Sequence, residues 1–165
     1  MNAEDIIGLI TEMDTANAVQ SENAWTHLRG LGEDIVPFLA KAYPTFRKSQ
    51  GRVALLFHAL RYARSSECAF QLGLAALGDR ATLVRYRACG LLAYSLRREA
   101  LPRLTNLLVH TDSKTVDDAK AAIDAVQRQN HHYFVDRTHS GRSSWQVNEY
   151  DTAEPTDAAA ASPGQ

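Results

Sequence analysis

The chain has 165 residues, 45% of them apolar and 22% charged, which suits one globular domain large enough to bury its own core. No apolar run nears the roughly 20 residues that cross a bilayer, and the acidic start Met1-Asn2-Ala3-Glu4-Asp5 lacks the plan of a signal peptide; a cytoplasmic setting is expected. The formal charge of −1 hides a polarity, because residues 1–40 sum to −6, residues 41–103 to +9 and residues 104–165 to −4.

In chain order, a short helix is predicted over 3–13, with Asn2 as N-cap and Ile6, Ile7, Leu9, Ile10 and Met13 as its apolar positions. A polar stretch over 14–21 separates it from a first helix pair, 22–29 and 34–43, joined through Gly30-Leu31-Gly32 and stopped by Pro44. The second pair is predicted over 46–64 and 67–77. Val53, Leu56, Phe57 and Leu60 form the stripe of its first member, and Ser65 or Ser66 caps the second. In the third pair Val84, Ala88, Leu91, Leu92 and Ser95 share one face, with Arg85, Arg87 and Arg98 mostly off it. Leu101, Leu104, Leu107 and Leu108 line the partner helix, where Pro102 fits only the first turn. Asp112 or Ser113 caps a last helix over 115–129.

These segments repeat. Val36, Cys68 and Leu101 open comparable helices at intervals of 32 and 33 residues, and Ala24, Ala54 and Ala88 recur at 30 and 34. A period in this range signals stacked helix pairs that bury their stripes against their neighbours. After Asn130 the pattern changes. His132-Tyr133-Phe134-Val135 and Ser144-Trp145-Gln146-Val147 flank a turn-prone run, which predicts a β-hairpin over 131–150 packed on the last helix, followed by a disordered tail over 151–165.

The third pair resembles HEAT repeats, through Asp79, Val84-Arg85, Ala88, Leu91-Leu92, Ala100-Leu101-Pro102, Leu104 and Leu107-Leu108. The resemblance extends more weakly over 22–129; the first two pairs lack the aspartate, and Val116-Asp117 stands where valine-arginine is the family's pattern. It implies an all-α, right-handed HEAT-like solenoid of about seven or eight helices over 1–130. It also implies that Asp79 and Arg85 belong to a structural ladder between repeats. The segment from Asn130 to Arg142 is similar to C-terminal appendages of small bacterial HEAT-like proteins, some of which neighbour toxin genes. That similarity implies an immunity protein that covers a cognate toxin.

No nucleophile elbow, phosphate-binding glycine loop or His-Glu-x-x-His is present, so a non-enzymatic chain without cofactor is expected. Asp136 to Gly141 has oxygen-bearing side chains at alternate positions, but Val147 replaces the closing glutamate of a calcium loop, and an Asx-type turn is the better reading. His131, His132 and His139 lack the cysteine or carboxylate that would complete a zinc set. Cys68 and Cys89 both read as reduced core residues, with a disulfide between neighbouring helices left open.

The expected function is therefore protein binding. Arg52, Arg61, Arg64, Arg85, Arg87, Arg97 and Arg103 are the candidates for complementarity to an acidic partner or toxin, and Phe70 and Trp145 are the candidate aromatic anchors. The apolar helix over 67–77 is either core or the floor of a groove. The alternative is nucleic-acid binding or base modification by the basic centre, which requires those arginines on one face.

Overall fold

The computed structural model describes residues 1–151, which fold as eight α-helices linked by 3-10 turns. The helices are α1 (Ala3–Glu12), α2 (Ala18–Leu28), α3 (Val36–Ala42), α4 (Ser49–Ala59), α5 (Glu67–Ala76), α6 (Thr82–Ser95), α7 (Leu101–Asn106) and α8 (Ser113–Gln127). Four of their starts are set by short polar side chains that accept from orphan amides. Asn2 caps α1, Asn17 caps α2, Ser66 caps α5 and Asp112 caps α8. The Asn17 cap begins α2 four residues before the predicted 22. Pro37 and Pro102 sit in first turns, where a missing N–H leaves no bond unmade.

The helices pack in two layers. α2, α4, α6 and α8 follow one another in one layer; α1, α3 and α5 form the other, and α7 continues it against α8. Each helix thus buries its stripe against elements one and two steps away in the chain, the packing expected of stacked pairs. The crossings are close where a side chain is missing: a Cβ on Gly73 of α5 would stand 2.6 Å from Leu91 of α6. In α4 and the turn that follows it the buried set is Gly51, Arg52, Leu55, Leu56, Ala59, Leu60 and Ala63, so the stripe is rotated from the predicted one and Phe57 falls off it, 52% exposed. The most enclosed helix is α6, buried continuously from Ala88 to Ser95. The helix over 67–77 is largely core as well: Phe70, Leu72 and Leu77 are buried and Leu74 partly so. Cys89 is buried, whereas Cys68, read as core, is exposed; both thiols are free.

The predicted β-hairpin does not form, and no β-strand occurs among the described residues. His131–Phe134 is a 3-10 turn, and its backbone groups bond locally: the amides of Val135 and Asp136 both donate to the His132 carbonyl. The groups that residue 145 would offer a ladder go to two histidine side chains. His131 Nε2–H donates to the Trp145 carbonyl at 2.8 Å, and the Trp145 amide donates to His132 Nδ1 at 2.9 Å. A β-prone pattern is satisfied here by imidazoles in place of a partner strand.

The segment after Phe134 is instead an irregular strap lying across α6. The Asp136 carboxylate accepts from Ser140 N, Ser140 Oγ and Gly141 N, which closes the first turn. Gly90 of α6 leaves room for the strap, since a Cβ there would stand 3.0 Å from the Phe134 ring and 3.5 Å from Trp145. Asp151, read as the start of the tail, is buried; it accepts from the Val147 and Asn148 amides and from Tyr94 Oη. Residues 152–165, the remainder of the predicted tail, lie outside the described residues. No helix among the described residues is long and apolar enough to cross a membrane.

Candidate partner-binding groove

The arginines that make the centre of the chain basic divide sharply by what they touch. Arg52 is buried and forms a bidentate pair with Asp79, Nε to Oδ2 at 2.7 Å and the terminal nitrogen Nη2 to Oδ1 at 3.1 Å. Tyr43 Oη and the Ala81 amide also donate to that carboxylate. Burial alone would raise Asp79, but the hydrogen bonds from Arg52 and Tyr43 outweigh it and hold the acid below its ordinary value. One repeat further on, Arg85 is buried against Asp112 at 2.9 Å, Thr115 at 2.8 Å and the Asp79 carbonyl at 2.7 Å. Each rung spans 27 residues. Asp79 and Arg85 therefore meet through a backbone carbonyl, and their carboxylate–guanidinium pairs run to the preceding and the following helix of the α2–α4–α6–α8 layer.

Arg64 and Arg97 are also engaged. Arg64 donates to the Tyr94 carbonyl and to His131 Nδ1, lies 4.1 Å over the Tyr94 ring and stands 3.6 Å from Asp151, so it anchors the strap. Arg97 pairs with Glu67 at 2.6 Å and lies 3.7 Å over Phe70. Phe70 is itself buried and unavailable as an anchor. Arg103 is exposed on α7, with one long contact to the Leu74 carbonyl. Of the twelve basic residues behind the net +9 of residues 41–103, Arg52, Arg85, Arg64 and Arg97 are thus engaged in the ladder, the strap anchor and the pair with Glu67.

Of the other three candidates, Arg61 and Trp145 line one groove, and Arg87 lies with Trp145 in a small cleft beside it. The groove, of about 370 Å³, lies between α2, the end of α4 and the strap. Glu22 and Trp25 of α2 and Arg29, its C-cap residue, project into it at the i, i+3, i+7 spacing that aligns helical side chains. Phe57, His58 and Arg61 face them across the groove, and Trp145, Gln146 and Val147 close the third side. His58 stacks on Trp25 with ring centroids 3.7 Å apart and planes 11° from parallel. Burial, helped by the charge of Arg61, pushes His58 down to about 4, so it is a neutral platform at pH 7. A separate small cleft, which shares Phe57, Leu60 and Trp145 with the groove, lies against Tyr86, Arg87, Gly90 and Phe134. There the Arg87 guanidinium lies 5.3 Å over the Phe57 ring and 5.6 Å over Tyr86.

Sequence reasoning missed Trp25 and Arg29, and it placed Phe57 in the core. The signal for Phe57 was available: Arg52, Leu55, Ala59 and Ala63 continue one stripe through Leu56 and Leu60, which leaves residue 57 outside it. The Trp25–His58 stack joins two helices 33 residues apart, and nothing local encodes it. The three histidines of the terminal segment are divided, His131 and His132 clamping Trp145 while His139 stacks on Tyr133 and pairs with Asp124. Among the described residues no cluster of three metal-binding side chains occurs. No protein-family model matches the chain, and no curated protein matches it.

Proposed function

We propose that the chain is a non-enzymatic, cytoplasmic, HEAT-like helical scaffold that binds a partner protein through the groove between α2, α4 and the strap. The observation that carries this reading is Phe57, a large aromatic side chain half exposed in a concave site whose other walls are Trp25, His58 and Trp145. Aromatic side chains flanked by arginine are the usual makings of a binding hot spot, and an apolar site held open at a surface favours an external occupant. Among the described residues the lining holds one histidine, neutral and stacked, and one carboxylate, Glu22, an arrangement better suited to packing than to proton transfer. An immunity protein that covers a cognate toxin is the narrower form of this reading; a toxin-like gene beside this one would support it.

The test is a photo-crosslinking phenylalanine analogue placed at position 57 in the native host. One discrete protein adduct is expected, lost on Arg61→Glu and unaffected by a probe on the opposite layer at Gln71. Equal labelling from both positions would defeat the reading.

A further inference from the structure

One feature of the groove is left unexplained by packing. Arg29 and Arg61 stand in its lining with no side-chain hydrogen bond or ion pair among the described residues, and Glu22 is the one opposite charge among the described residues of the lining. Arg87, in the adjoining cleft, takes no part: about 20 Å³ gives room for one water on its buried Nε–H and none for a carboxylate. The groove is near the lower end of the size of ligand sites, which suits one large side chain and its neighbours rather than a whole cofactor.

We infer that the groove reads a short acidic segment of its partner: one aromatic side chain lies against Phe57 and Trp145, with flanking carboxylates on Arg29 and Arg61 at the rim. This inference rests on the reading that a protein segment docks here, and adds the chemistry of that segment. A basic segment would meet two guanidinium groups and a neutral imidazole. A purely apolar one would leave the rim charges unanswered.

The chain has two tryptophans, and both line this groove, so its intrinsic emission reports occupancy directly. The full chain is titrated with three synthetic peptides that present one phenylalanine flanked by glutamate, by glutamine or by lysine. A saturable change is expected with the glutamate peptide, roughly tenfold weaker binding with glutamine and none with lysine. Added salt should weaken the first. Arg61→Glu should shift preference toward the lysine peptide, and Arg29→Gln should lower affinity for the glutamate peptide severalfold with the circular dichroism spectrum unchanged. Equal affinity for the glutamate and glutamine peptides overturns the inference while the docking reading stands. No emission change with any peptide also overturns it, and the crosslink at position 57 then decides the docking reading alone. An emission change on diluting the protein by itself, with a matching shift in sedimentation, would assign the groove to a second copy of the chain and overturn the inference.

Discussion

His58 and His131 show how burial converts a titratable residue into a structural one. Each is lowered from 6.5 to about 4, chiefly by burial. Arg61 adds to the shift at His58. At His131 the charges of His132 and Arg64 add to it, while the hydrogen bond to the Trp145 carbonyl opposes it. A histidine with a lowered folded value binds protons more readily when unfolded. Its contribution to stability is therefore complete above about 6.5 and is lost as pH falls from there toward 4. Asp136 and Asp151, held below the ordinary carboxylate value of 3.8, lose theirs only at lower pH still. We predict that the urea midpoint falls steadily between pH 6.5 and pH 4, and that His58→Phe, which keeps a ring against Trp25, makes that decline shallower. Identical slopes for the two proteins would refute the assignment to His58.

At the scale of elements, the ladder fixes how neighbouring pairs sit. Arg52 and Asp79 have side chains only 6% and 5% exposed, whereas Asp112, the acid of the next rung, is 25% exposed. Removing one member of a buried ion pair leaves the other charged and dry, a loss of about 3–5 kcal/mol. Asp79→Ala and Asp112→Ala should therefore each destabilise by about that much in urea unfolding at constant m-value, because the guanidinium left behind is 6% exposed in either case, whatever the exposure of the acid removed. A loss on Asp112→Ala much below that on Asp79→Ala would show that Arg85 is relieved by its other partners. Helices, capping residues and the repeat were legible in the sequence because each is a local pattern, such as Ser66 before Glu67 or leucines at helical spacing in α7. The basic centre was legible as charge but not as a surface. Whether an arginine is free depends on a carboxylate 27 residues away, as for Arg52 and Arg85. The hairpin failed for a similar reason. Alternating residues around Trp145 indicate extended backbone, but nothing in that pattern says that His131 and His132 will take its hydrogen bonds. The groove, made by α2, α4 and a segment more than 80 residues later, carried no local signature beyond Phe57 standing off its stripe.

Across the whole molecule, a stack of helix pairs has mainly nearest-neighbour contacts, and its parts can open separately. The strap departs from that rule. Asn148 donates to the Arg61 carbonyl, 87 residues back in the chain, and to Tyr94 Oη on α6. Asp151 locks this arrangement, because it accepts from Tyr94 and from two strap amides, and these bonds outweigh its burial to keep it ionised. The strap thus ties the end of α4 to α6 and α8, and at the same time forms one wall of the groove. Asp151→Ala removes the lock and leaves every helix–helix crossing in place. Hydrogen exchange should then speed up in residues 145–150 and at the α4 end near Arg61, with α1 and α3 unchanged, and Trp145 emission should move to longer wavelength as the indole gains water. Uniform loss of protection through all eight helices would mean that the strap belongs to one global folding unit. If exchange is local, partner binding at Phe57 should weaken in the same variant, because the groove would have lost its third wall while the ladder that builds the other two remained intact.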